Sequence, residues 1–298
     1  MKRILFILTF LFFLAGCGSQ EAPAPIAATT LPVYEFTSRI CAGTGLEVVR
    51  LVTEEVSCLH DYSLNVRQVK KAEAAETIVI SGAGLEGFLD GLLVEDKLID
   101  ASQGLHLLSA SHSRDHGHNH DHEEAEEDSH GHGEYDPHIW LSPKNAMQMA
   151  QNICDELTLR YPEHEELFRN NTGKLISELE ELDEYGQKTL SSLSCRELIT
   201  FHDGFSYFAH SFDLTILEAV EEESGSEASA RDLIHLIEEV EHHKLPAIFT
   251  EVSGSDSAAS IIARETGAGC FALDMAMSGD SYFTAMYHNI QTIKEALQ

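Results

Sequence analysis

The sequence predicts an α/β protein in which two strand–helix segments with mainly parallel sheets flank one long helix. Three observations carry that prediction. Short apolar runs alternate with amphipathic helical stretches over much of residues 26–162 and again over 192–298, which favours parallel strands covered by helices. Between them, residues 163–191 hold Leu175, Leu179 and Leu182 on one helical stripe among Glu and Lys. About 27 helical residues reach roughly 40 Å, longer than one small domain requires. The chain has 298 residues and 43% apolar content, enough for two ordinary cores.

The first 16 residues read as an export signal. Met1-Lys2-Arg3 is basic, and the apolar run at 4–14 is too short to be a comfortable membrane span. Leu14-Ala15-Gly16-Cys17 resembles the bacterial lipoprotein processing box. That resemblance implies cleavage before Cys17, a lipid on its thiol, and anchoring at the extracytoplasmic face of the cell membrane. Residues 17–25 are small and polar, suited to a tether.

A short strand and turn open at residue 26, and a helix is expected over 33–41, stopped by Gly43 and Gly45. A buried strand follows at 46–52, then a loop with His60, a helix at 65–75 and a second strand at 77–80. After a turn at 81–84, residues 85–93 read as helical, with Leu85, Phe88, Leu89 and Leu92 on one face. Pro143 suits the first turn of another helix, along which Met147, Ala150, Cys154 and Leu157 recur at helical spacing. Beyond the long helix come strands at 198–201, 215–220, 247–251 and 271–274, with helices at 204–210, 230–243, 258–266 and 282–297. Ligands of open α/β sheets sit outside the carboxyl ends of the strands. His202, Glu251 and Asp274 fall at such ends.

An acidic, histidine-rich loop at 111–135 interrupts the first segment. It carries His112, His116, His118, His120, His122, His130 and His132 among Asp, Glu, Gly and Ser. Neutral imidazole is a common ligand for borderline transition metals, so this tract can collect divalent cations without a fixed cage. A net charge of -31 excludes nucleic acid as a partner and suits a small cation. Cys41, Cys58, Cys154, Cys195 and Cys270 are an odd set with no CxxC, so no thiolate zinc cluster is indicated. HExxH is absent too, and the chain reads as a binding protein rather than an enzyme.

Four isolated positions could converge: His60, His138, His202 and Asp274. Three imidazoles and a carboxylate form a tetrahedral set that zinc favours. Their wide separation along the chain is what a cleft between two lobes would produce.

Several segments extend this reading: His60-Asp61-Tyr62, Gly82-Ala83-Gly84-Leu85-Glu86, Asp136-Pro137-His138-Ile139-Trp140-Leu141-Ser142-Pro143, Phe201-His202-Asp203-Gly204-Phe205-Ser206-Tyr207-Phe208, Ile248-Phe249-Thr250-Glu251 and Leu273-Asp274. Through them the chain resembles the zinc- and manganese-binding lipoproteins of bacterial ABC importers, over nearly all of its mature length. The resemblance implies two similar α/β lobes, 26–162 and 192–298, joined by the helix at 163–191, with a metal site in the cleft between them. It implies His60, His138, His202 and Asp274 as ligands, a membrane permease as partner, and a monomer that transports its ion without chemistry. The acidic tract resembles the zinc-specific branch. His202 stands where the manganese branch often has Glu, which favours Zn2+ over Mn2+ or iron. Leu59, Ala228 and Met275 depart from the family's usual residues, and Glu251 is the alternative fourth ligand. Two readings of another class are a secreted zinc hydrolase and a surface lipoprotein that buffers metal with the tract alone.

Overall fold

The computed structural model describes residues 26–56, 59, 62–92, 94–110, 135–221, 229–254 and 256–298. Its described part is built on two four-stranded sheets. In the first lobe, Ile26–Ala28 (β1) pairs in parallel with Val48–Arg50 (β2) and Thr77–Ile80 (β3), and β3 with Leu98–Asp100 (β4). The second lobe contains Glu197–His202 (β5), Thr215–Glu221 (β6), Ala247–Glu251 (β7) and Gly269–Leu273 (β8), again all parallel. The strand orders are β2-β1-β3-β4 and β6-β5-β7-β8, the same arrangement twice. In each sheet the first strand lies between the second and third, so the chain leaves it in both directions. Such a switch point opens a crevice at the carboxyl ends of the strands. His202 and Glu251 stand there in the second lobe.

The helices form where local chemistry starts them. Leu31–Ile40 (α1) has Pro32 in its first turn, and Val66–Ala74 (α2) begins with a reciprocal cap between Asn65 and Gln68. In Pro143–Arg160 (α3), Pro143 takes the first position while Ser142 accepts from the Asn145 amide. The long helix is Glu165–Leu190 (α4), 26 residues, preceded by a 3-10 turn at Pro162–His164. Ser206–Ser211 (α5), Ala230–His243 (α6), Ser257–Thr266 (α7) and Tyr282–Leu297 (α8) complete the second lobe.

The long helix joins the lobes as expected, and it packs on α1, α3 and α8. Leu175, Leu179 and Leu182 are buried along its stripe. Asn171 donates to the carbonyls of Ile40 and Ala42 in the first lobe, while Gln187 donates to that of Ser211 in the second. One apolar core runs through it from Val33 and Phe36 to Phe208, Phe249 and Ile290.

Three local expectations change. Of the helix expected over 85–93, residues 85–92 form turns with a single 3-10 turn at Gly87–Leu89, and Leu92 is 37% exposed rather than on a buried face. Gly84, Gly87 and Gly91 each weaken a helix by about 1 kcal/mol. The Glu86 carboxylate also turns inward to accept from the amides of Ser81 and Gly82. The strand expected over 46–52 pairs only at β2, and the first helix starts two residues early, at Leu31. β4, at three residues, was too short to leave a periodic signal.

Two features of this framework are testable. A Cβ on Gly186 of α4 would stand 2.3 Å from the ring of Phe212, which is buried. Gly173, in the same helix, has open space around it. Gly173→Ala should therefore gain about 0.5–1 kcal/mol from helix propensity. Gly186→Ala should lose stability, because overpacking costs about 1–3 kcal/mol and outweighs that gain. Denaturant melts of the two variants would contradict this if both were stabilised.

Glu86 is buried, accepts from Thr29 Oγ1 at 2.8 Å, and burial pushes its carboxyl up to about 7 from an ordinary 4.5. The folded protein thus holds this proton where the unfolded chain has released it. The resulting stability is present below pH 4.5 and is lost as pH rises through about 7. Melts at pH 5 and pH 8 should show the wild type losing more stability with rising pH than Glu86→Gln does. Identical pH slopes for the two would rule this out.

Candidate metal centre

The site begins at the base of the histidine tract. Ser109 and Tyr135 form an antiparallel bridge, the Asp136 amide donates to the Leu108 carbonyl at 2.9 Å, and the Leu108 amide donates to the Tyr207 hydroxyl at 2.9 Å. Burial pushes that phenol up to about 12, so it stays protonated. The chain entering and leaving the tract is therefore closed on itself and pinned to α5.

Asp136 then orients His138. Its Oδ1 accepts from the His138 backbone amide at 2.8 Å and faces the His138 Nδ1 at 2.8 Å. Burial alone would raise the Asp136 carboxyl. The charge and hydrogen bonds of His138, with Ser206, bring it below the ordinary carboxylate range. On the opposite wall, β5 ends in His202, whose Nδ1 lies 3.2 Å from Glu251 Oε1 at the end of β7. A carboxylate behind one ring nitrogen keeps the proton on that nitrogen and aims the other nitrogen's lone pair forward.

Both forward nitrogens aim at the same place. His138 Nε2 and His202 Nε2 are 3.4 Å apart, with the rings at 84°, and both side chains are buried. When each ring carries its proton on Nδ1, both Nε2 atoms can act as metal donors. Two Zn–N bonds of about 2.0–2.1 Å at a tetrahedral angle place their nitrogens about 3.3–3.4 Å apart. The observed spacing fits one shared zinc ion. Gly204 keeps this space open: a Cβ there would stand 2.6 Å from the His202 ring and 2.6 Å from the Met275 methyl.

Asp274, just past β8, lines a cleft of about 350 Å³ together with Glu55, Glu251 and Met275. Its Oδ1 accepts from the Ala276 amide at 2.7 Å. Its backbone is held twice by the buried Asn289, which accepts from the Asp274 amide and donates to the Asp274 carbonyl, each at 2.7 Å. The structure thus unites His138 with His202, seats Glu251 behind His202, and places Asp274 with Glu251 on one acidic cleft. His60, Cys17 and the tract residues His112, His116, His118, His120, His122, His130 and His132 lie outside the described residues. Among the described residues, no group of three His, Cys, Asp or Glu side chains forms a metal-holding set. Cys41, Cys154, Cys195 and Cys270 are free thiols. No described helix is long and apolar enough to cross a membrane.

Residue-type reasoning passed over Asp136, Asn289 and Tyr207. Only Asp136 left a signal, an acid two positions before a histidine. The others act across long sequence separations.

The family model described as "ZnuA: Zinc-uptake complex component A periplasmic" matches residues 26–296. The chain belongs to this family. It is 29% identical to the zinc-binding lipoprotein AdcA of Streptococcus pneumoniae R6, over 99% of this chain and 61% of that one. It therefore spans about six-tenths of that relative's length. Among solved structures it is similar to the Zn(II)-bound ZnuA-like domain of Streptococcus pneumoniae AdcA, with a TM-score of 0.74 and 28% identity, covering 91% of this chain and 98% of that one. It is also similar to a crystal structure of ZnuA, with a TM-score of 0.76 and 28% identity, covering 92% and 100%. The fold of two parallel-sheet lobes joined by a long helix is the one these proteins share with this chain.

Proposed function

We propose that this chain is an extracytoplasmic receptor that captures Zn2+ between its lobes and delivers it to the permease of an ABC importer. The observation that carries this is the pair of imidazoles with carboxylates behind them and Nε2 atoms 3.4 Å apart. Paired nitrogens favour zinc over the harder manganese ion, which prefers oxygen. His138 and His202 supply two ligands, His60 the third and Asp274 the fourth, with Glu251 as the alternative fourth. The lobes are residues 26–162 and 192–298, with the connection at 163–191. Family membership and the zinc-binding names of the relatives support zinc as the cargo. Cys17 carries the lipid that keeps the monomeric receptor at the membrane, and the tract gathers further ions weakly. The protein acts by binding alone. A hydrolase would need an open coordination position beside a general base, whereas the Asp136 carboxylate is engaged by His138.

Loss of a carboxylate behind a ligating histidine commonly costs 10- to 100-fold in metal affinity. Asp136→Asn should weaken zinc binding within about that range, and His60→Ala, His138→Ala or His202→Ala by more than about 100-fold. The only tryptophan, Trp140, has its ring 5.5 Å from that of His138, so its fluorescence should report the titration. A chelator competition in which a histidine variant keeps wild-type affinity would refute the ligand set.

Deleting residues 112–132 leaves four residues between Ser109 and Tyr135, a workable hairpin length. The shortened protein should keep one tight zinc site and lose only additional weak binding. Loss of all binding would instead identify a buffer that works through the tract.

A further inference from the structure

His138 and Asp274 come from segments far apart in the chain, and a four-ligand site needs them in fixed register. One pair of side chains ties these segments together. Trp140, two residues past His138, is fully buried, and its indole Nε1 donates to the carbonyl of Met275 at 2.8 Å. Met275 directly follows Asp274. In return, the buried Tyr282 hydroxyl donates to the Trp140 carbonyl at 2.8 Å. The two bonds run in opposite directions and close a ring through residues 275–282.

That ring is anchored on both sides. In the first lobe, the Leu31 amide donates to the Met277 carbonyl at 3.3 Å, and Glu35 accepts from the Tyr282 amide at 2.6 Å. In the second, Asn289 grips the Asp274 backbone. The peptide at 274–275 is therefore held from α8 on one side and from the His138 turn on the other. Burying any of these polar groups without its partner costs more than the bond itself contributes, so the ring favours a single register.

We propose that Trp140 is a positioning residue of the metal site: through the Met275 carbonyl it sets the distance between the Asp274 loop and His138, so that the carboxylate reaches an ion already held by imidazole. This rests on the reading of Asp274 as a zinc ligand. A tryptophan that merely filled the core would stabilise the fold without tuning affinity.

The test uses the full chain and zinc alone, with dissociation constants from chelator competition. Trp140→Phe and Tyr282→Phe are each made in the wild type and in Asp274→Ala. In the wild type each should raise Kd roughly three- to tenfold, the scale of one net hydrogen bond. In the Asp274→Ala background neither should raise it further, because coupled residues are not additive. An unchanged Kd with a lowered melting temperature would overturn the proposal, as would equal losses in both backgrounds. Should Trp140→Phe fail to fold, Tyr282→Phe, which removes one oxygen, decides by the same criteria. Tight binding that survives His138→Ala, or wild-type affinity in Asp274→Ala, sinks the site reading itself and the proposal with it. Losses in both of those variants with a flat response at Trp140 and Tyr282 sink the proposal alone.

Discussion

The arrangement depends on two carboxylates standing behind two imidazoles. Asp136 and Glu251 touch the far nitrogens of His138 and His202, and that contact decides which way each ring presents its lone pair. A ring with no such carboxylate behind it has neither its tautomer nor its orientation set. In the function proposed above, the two rings, each with its carboxylate, offer their Nε2 atoms, 3.4 Å apart, to one dication.

Such a pair works only if the lobes that supply it stay in register. The 26-residue helix provides this, since its polar side chains are fixed to backbone carbonyls of both lobes and its apolar stripe lies in a core shared by both. The close approach of Gly186 to Phe212 locks the helix at its second-lobe end. A hinge of loose loops would let the crevice gape, whereas a packed helix confines motion to small displacements.

Much of this was legible in the sequence. Alternating strand and helix signals gave the parallel sheets, and the leucine stripe gave the linking helix. His202 and Glu251 could be placed because each ends an apolar strand. What could not be read was partnership across distance. Nothing near residue 289 announces that an asparagine in the last helix holds the backbone at 274, since a buried asparagine and a surface one look alike in a helical pattern. The nearness of Glu251 to His202 was equally hidden, because it is set by strand order rather than by spacing. The 85–93 segment misled because its leucines keep helical spacing while its glycines and the inward turn of Glu86 break the backbone pattern.

The bridge between Ser109 and Tyr135 bears on the length of the chain it encloses. For a flexible loop that leaves and returns through such a tie, closure entropy changes by only about 0.6 kcal/mol for each doubling of length. The tie therefore separates the length of what it encloses from the geometry of the strands and helices on either side of it.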